Sequence, residues 1–293
     1  MLIAINGRKQ SGKDTVGKII QYLTAKNEAI LDINMPDRDY WINISFEDYF
    51  KYNMLAHKWK IKKFADKLKD IICILIGCTR EQLEDESFKS KELGEGWWYW
   101  YMERDGGYSP IILDYLTTTK KELKNYEGLE LIKPTPRFLL QFIGTDLLRN
   151  QLHPQIWVNS LMNEYKQIIG YAPGNYWSNC GKCGKQFIGD KRAVRCEECS
   201  ILYPNWIITD MRFPNELEAV KKREGITIRV NRSFNHKNGS KETGTIDLTP
   251  EHESEKALDN AEFDYVIQNN GTISDLIDKI RNILIENKLI KNK

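Results

Sequence analysis

The chain has 293 residues, 41% of them hydrophobic, enough for one large core or one core that carries insertions. Lys and Arg number 43 against 41 Asp and Glu, and a net charge of +2 argues against a protein built to coat polynucleotide, while leaving room for local basic patches. Met1 leads straight into a strand and no apolar run approaches the ~20 residues of a membrane span, so the expected setting is cytoplasmic, with no membrane partner.

Leu2, Ile3, Ala4 and Ile5 form the short apolar run of a buried parallel strand, which stops at Asn6-Gly7. Gly7-Arg8-Lys9-Gln10-Ser11-Gly12-Lys13-Asp14-Thr15 follows, and then Val16, Ile19, Ile20 and Leu23 recur at helical spacing. Strand, glycine loop and helix in that order are the context of a P-loop. Glycines at both ends let the backbone N–H groups of residues 8 to 13 turn inward around a phosphate, and the helix N-terminus adds partial positive charge. Gly7, Lys9, Ser11, Gly12, Lys13, Asp14 and Thr15 are the expected contacts to the phosphates of a nucleotide. Lys13 is assigned to the outer phosphates and Thr15 to an inner one. Asp14 stands where Ser or Thr is usual and becomes the candidate Mg2+ contact, since magnesium prefers hard oxygen ligands. An ordinary turn and helix cap is the plain alternative.

Residues 27–57 show no clean period, and Asp37, Asp39, Glu47 and Asp48 read as solvated charges. Trp59 to Ala65 predicts a second strand, followed by a helix with Leu68, Ile71, Ile72 and Leu75 on its apolar face. Cys73 and Cys78 lie in that run and read as buried free thiols. Lys63, Lys67 and Lys69 gather where the strand gives way to its helix, the end of a parallel sheet where ligands bind; a solvated basic edge is the other reading. Residues 94–133 form an insertion of unknown role around Trp97-Trp98-Tyr99-Trp100-Tyr101. Local packing is its expected use, with a dimer contact or a base-stacking surface as alternatives.

Thr135-Pro136 opens a helix, Thr as cap and Pro at the first helical position. Its expected apolar face is Phe138, Leu139, Phe142, Ile143 and Leu147, while Arg137, Gln141, Thr145 and Arg149, spaced by four, form a polar stripe suited to lining a cleft. Gly144 would let a ligand approach the backbone. Another helix is expected from Ile156 to Ile169, ending at Gly170.

Cys180-Gly-Lys-Cys183 and Cys196-Glu-Glu-Cys199 are two CxxC knuckles with 12 residues between them, the spacing of a four-cysteine zinc ribbon. The ribbon, residues 171–204, reads as an insertion; redox-active pairs are the alternative. Trp206 to Thr209 makes a third strand ending in Asp210, a place for a direct or water-mediated Mg2+ contact, with Arg212 just beyond. Pro214-Asn215-Glu216 opens a helix that Gly225 ends. Ile226 to Val230 is a fourth strand with Arg232 past its end. Residues 233–255 suit a mobile flap, and His236 and His252 within it read as surface histidines. Tyr265-Val266-Ile267 is a fifth strand, leading to a final helix with Ile273, Leu276, Ile277, Ile280, Ile283 and Leu284 apolar. Five strands alternating with helices predict a parallel α/β sheet covered on both faces, with ligands gathered at one edge.

Several of these stretches together resemble the deoxynucleoside monophosphate kinases of bacteriophages, within the P-loop kinase superfamily. They are Gly7 to Thr15; Phe64-Ala65-Asp66-Lys67-Leu68-Lys69; Pro136-Arg137 through Gln141, Gly144-Thr145-Asp146 and Arg149, with Trp157-Val158; Thr209 to Glu216, the most specific; and His252-Glu253-Ser254-Glu255 through Asn270-Gly271. The aromatic run and the zinc ribbon match nothing expected of that family. The resemblance implies one P-loop kinase domain over residues 1–293, in the host cytoplasm, moving the γ-phosphoryl group of ATP with Mg2+ to the α-phosphate of a deoxynucleoside monophosphate. It implies Lys13, Asp210, Arg149 and Arg212 in catalysis, Arg212 as the transition-state arginine and Arg232 second. Lys63, Phe64, Lys67, Arg137, Gln141, Gly144, Thr145, Arg149 and Arg232 are implied at the acceptor. The chemistry agrees, because an anionic acceptor needs no strong base, and Lys13, Arg137, Arg149, Arg212 and Mg2+ can neutralise crowded phosphates.

Two rival functions stay open. One is a P-loop kinase of another phosphorylated small molecule. The other is a nucleotide-dependent nucleic-acid-binding protein that uses the ribbon, which carries Lys182, Lys185, Lys191, Arg192 and Arg195. A ribbon acting as a lid, and a homodimer, are further open readings.

Overall fold

A computed structural model describes residues 1–51, 58–104, 109–232 and 256–291. The expected flap, with His236, His252 and the stretch His252 to Glu255, lies outside the described residues. The chain divides into two units, Met1–Phe64 with Val158–Lys293, and Ala65–Trp157.

In the first unit β1 (Leu2–Asn6), β2 (Trp59–Lys62), β3 (Asn205–Ile208), β4 (Ile226–Asn231) and β5 (Tyr265–Gln268) form one parallel sheet in the order β5-β4-β1-β3-β2. All five expected strands are present. Three helices accompany them: α1 (Lys13–Leu31), α2 (Pro214–Lys221) and α3 (Ile273–Glu286). Ile3 pairs with Ile207 and Ile226, and Ile5 with Ile228, so these isoleucines share one face. They are packed with Val16, Ile19, Ile20 and Leu23 of α1 and Leu276, Ile280 and Leu284 of α3. The alternate residues Leu2, Ala4, Trp206 and Ile208 are equally buried, and α2 lies against β1 and β4 with Leu217, Ala219 and Val220 buried.

Topology accounts for this layering. From β1 the chain crosses through α1 to β2 on one side, whereas from β3 it crosses through α2 to β4 on the other. Right-handed crossovers in opposite directions put α1 and α2 on opposite faces. A Cβ at Gly17 would come 2.7 Å from Thr209 Cγ2, so the glycine lets α1 sit close on the end of β3.

The ribbon departs from the same unit through a narrow neck. The helix starting at Ile156 stops at Met162 and does not run on to Ile169; Gln167–Ile168 is instead a short strand paired antiparallel with Ile201–Leu202. Ile168 is β-branched and faces β-branched Ile201 across the pair, an arrangement better satisfied extended than helical. Between the two neck strands, Tyr176–Asn179 and Gln186–Gly189 form a hairpin.

The second unit holds a three-stranded antiparallel sheet in which Tyr99–Met102 lies between Ile111–Asp114 and Glu130–Ile132. The aromatic run supplies its central strand and packs locally, as expected. Trp98 meets Tyr115 edge-on at 5.3 Å, with Lys133 Nζ 4.2 Å from the Trp98 ring centre. The helix Asp66–Ile76 buries Leu68 and Ile72 but leaves Ile71, Ile74 and Leu75 exposed, so the expected apolar face is only partly used. Cys73 and Cys78 are half-buried rather than buried, their sulfurs 3.7 Å apart.

Candidate functional site

The glycine loop leaves the C-terminal end of β1, the central strand, at a point where the neighbouring connections separate to opposite faces. Such a switch point opens a crevice outside the strand ends, the usual ligand position in an open parallel sheet. Gly7 has φ +157°, Gln10 +63° and Gly12 +100°, so the loop doubles back through backbone conformations that side chains disfavour. A Cβ at Gly7 would strike the Val230 carbonyl and one at Gly12 would come 2.5 Å from Asn269 Nδ2, so both glycines are demanded by contact as well as by φ. The Ser11 amide donates to the Arg8 carbonyl at 3.1 Å and Asn269 Nδ2 to the Ser11 carbonyl at 2.8 Å, which fixes the curl. Ser11 is buried at 2% exposure, with no hydrogen-bond partner for Oγ among the described residues. Lys13 folds over the loop and its Nζ donates to the Arg8 carbonyl at 2.7 Å, while Lys9 is exposed and Thr15 half-buried.

Asp14, at the start of α1, reaches across the crevice. The Thr209 hydroxyl donates to its Oδ1 at 2.8 Å, and Lys63 Nζ lies 3.3 Å from the same oxygen. Partial burial pushes its carboxyl up, but the Lys63 ammonium, the Thr209 hydroxyl and Lys13 together outweigh that and hold it below the usual aspartate range. Asp210, just past β3, accepts from the Phe64 backbone N–H at 2.8 Å, tying the ends of β2 and β3 together. Asn6 Nδ2 donates to the Met211 carbonyl at 2.9 Å and ties β1 to the same turn. The ring of Phe64, an expected acceptor contact, is only 3% exposed; it supports the strand end and does not present a surface to a ligand.

Arg212 and Arg232 follow β3 and β4 at this same end of the sheet. Buried Glu216 accepts from the backbone N–H groups of Arg212 at 2.7 Å and Phe213 at 3.1 Å, which sets the turn into α2. Arg8 is anchored to Asp259 at 3.1 Å, and Arg229 holds the same carboxylate at 2.7 Å and the Leu258 carbonyl at 2.6 Å. Thr209, Asn6, Asn269 and the Asp259 clasp were missed in the sequence. The legible signals were Thr209 as the residue following a buried strand, and Asn269-Asn270-Gly271 as a turn at the ligand end of β5.

The other expected acceptor residues lie in the second unit. Thr135 Oγ1 accepts from the Phe138 amide at 3.1 Å and Pro136 opens an α-helix, as predicted, but beyond Gln141 the turns widen into a π-helix over Phe142–Leu152. Bonding to the fifth residue changes the angle per residue, so spacing by four no longer tracks one face as in an α-helix. Phe142 and Leu147, expected in the apolar face, are accordingly exposed. Gln141 and Lys67 are exposed, and Thr145 and Arg149 half-buried. Arg137 is engaged by Glu86 at 2.5 Å; Lys89 first, against partial burial, and then Arg137 pull the Glu86 carboxyl down to about 2. The close approach expected at Gly144 is made by Leu68, whose Cδ2 would lie 2.5 Å from a Cβ there, and Trp157 Nε1 donates to the Gly144 carbonyl at 2.8 Å.

The second cluster is the four-cysteine set. The sulfurs of Cys180, Cys183, Cys196 and Cys199 lie within 4.8 Å of one another, and those of Cys183 and Cys196 are 3.8 Å apart. Metal–sulfur bonds of about 2.3 Å in a tetrahedron give edges of about 3.8 Å, so the set can hold a structural metal ion. Backbone N–H groups, that of Cys196 first, draw the Cys180 thiol down to about 6 against its burial, whereas the facing Cys183 and Cys196 thiols push Cys199 up to about 12. Four crowded thiols cannot all ionise until a cation joins them.

No protein-family model and no curated protein matches the chain. Among the described residues, no helix is long and apolar enough to cross a membrane.

Proposed function

We propose that the chain is an ATP-dependent P-loop kinase whose acceptor is a deoxynucleoside monophosphate. The observation that carries this reading is the loop from Gly7 to Gly12, closed by positive φ at both glycines and followed by Lys13 and Asp14, on the central strand at the switch point of a parallel sheet. Residues on neighbouring strand ends supply what phosphoryl transfer needs. Lys13 exchanges the Arg8 carbonyl for the outer phosphates, and the loop amides cradle the inner ones. Asp14 and Asp210 offer the one or two carboxylates that Mg2+ favours, and the bound ion would neutralise charge between the donor phosphates. Thr209 and Lys63 keep Asp14 ionised and oriented for that task. Arg212, on a turn set by Glu216, faces the charge of the transferring group, with Arg232 in reserve. Lys67, Arg137, Gln141, Thr145 and Arg149 of the second unit are the residues the resemblance assigns to the acceptor nucleotide, Arg137 giving up Glu86 for its phosphate. The ribbon holds a structural Zn2+, the metal that four tetrahedral thiolates suit best.

The test is ADP release from ATP and Mg2+ with each deoxynucleoside monophosphate offered separately, alongside a no-acceptor control. We expect acceptor-dependent release that vanishes in Lys13→Ala. Equal release without acceptor would overturn the kinase reading, and release only with another phosphorylated metabolite would move it to a different acceptor class.

A further inference from the structure

The ribbon keeps its largest aromatic side chains on the outside. Its buried cluster is small, Cys180, Phe187, Ala193 and Cys196 with Tyr171 and Cys199 alongside, whereas Tyr176 and Trp177 are 60% and 70% exposed. The hairpin register explains which side is which. Ser178 pairs with Phe187, and Phe187 is buried among the cysteines, so that face looks toward the thiol cluster. Trp177 pairs with Ile188, 46% exposed, so these two stand together on the outer face.

Charge is arranged around them. Lys185 precedes the four-residue strand Gln186–Gly189, and Lys191 and Arg192 follow it, so cations bracket a span of roughly 13 Å with Trp177 opposite its middle. Residues 176–192 hold four exposed Lys or Arg against the single acid Asp190, which takes up Arg192 at 3.1 Å, so Lys185 and Lys191 are the cations that flank the strand. An exposed indole with cations at both ends matches a ligand that brings flat π-faces and regularly spaced negative charge in one chain.

We infer that the outer face of this hairpin binds single-stranded nucleic acid, with bases stacked on Trp177 and phosphates drawn by Lys185 and Lys191. This is independent of the kinase reading, because binding is measured without ATP or acceptor.

The experiment is fluorescence anisotropy of a labelled single-stranded oligonucleotide of roughly 20 nucleotides, titrated with the metal-loaded full chain over a salt series. Expected is saturable binding that weakens with salt and falls about tenfold in Trp177→Ala with the salt slope unchanged, while Trp177→Phe, which keeps a ring, retains most of it. Lys185→Ala combined with Lys191→Ala should lower the slope of log affinity against log salt by about 1.4. Metal content of each variant shows whether the ribbon is intact. No binding at low salt, equal binding of Trp177→Ala and wild type, or capture by anionic vesicles in preference to the oligonucleotide would overturn the inference.

Discussion

The parallel sheet and the ribbon both hold four- to six-residue strands in place, with different resources. Each central strand of the sheet is shielded on both faces, and Ile3, Ile5, Ile207, Ile228 and Val230 have no measurable or almost no exposure. The ribbon hairpin buries Phe187 and Gly189 but leaves Tyr176, Trp177 and Ile188 in solvent. A two-stranded hairpin of that kind is marginal by itself, and four thiols gathered around one point can hold the metal ion that would replace the missing core. Burial holds the sheet and frees the residues at its strand ends for polar work; a metal ion held by the four cysteines would do the same for the ribbon and free its faces.

Metal removal should separate the two regions most sharply. A structural four-thiolate site contributes on the order of 10 kcal/mol of binding free energy, so stripping the ion with a chelator, or Cys196→Ser, should collapse amide dispersion in residues 176–200 while β1 and β3 stay protected in hydrogen exchange. Loss of protection in β1 as well would mean that the two regions share one folding unit. The reverse experiment is Ile228→Ala, expected to cost about 3 to 4 kcal/mol in denaturant unfolding because a fully buried side chain is removed from a packed core, with metal content unchanged.

A finer probe of the strand-end polar groups is Glu216→Ala. It removes the acceptor for two backbone N–H groups from a buried position and should cost about 2 kcal/mol, read by thermal or denaturant unfolding. The smallest effect concerns Asp14. Its folded carboxyl lies below the ordinary aspartate value, so the associated stability is present above that value and is lost as pH falls through the lowered folded one. In Thr209→Val the carboxyl should titrate at higher pH than in the wild type, which carboxyl NMR of Asp14 would show directly. An unchanged titration would remove Thr209 from its positioning role.

The sheet was legible because its signal is dense: Leu2 to Ile5, Trp206 to Ile208 and Ile226 to Val230 are β-branched or apolar runs bounded by Gly, Asp and Arg, with little competing reading. The loop, the carboxylate after β3 and the four cysteines could be read for the same reason, since each has a spacing tied to a geometry. What escaped lay in contacts between distant residues, such as Thr209 with Asp14, Asn269 with Ser11 and Asp259 with Arg8, which no local pattern encodes. Periodicity also misled at residues 142–152, where a wider turn changes the angle that the four-residue rule assumes, and at Gln167–Ile168, where a partner strand 34 positions later outweighed helical spacing. Residues 40–50 hid a further packing unit: Tyr22, Phe46, Tyr49 and Phe50 interlock edge-to-face at 4.7 to 5.5 Å, against a sequence background that shows no period.

The neck of the ribbon bears on how such a chain could have arisen. Ile168 and Ile201 are paired neighbours, so the main chain leaves and rejoins its path at one place. The distance the backbone must bridge is the same with or without the intervening residues, and a tight turn across the pair would close it. A segment joined this way can be acquired or lost in a single genetic event without moving any strand of the sheet.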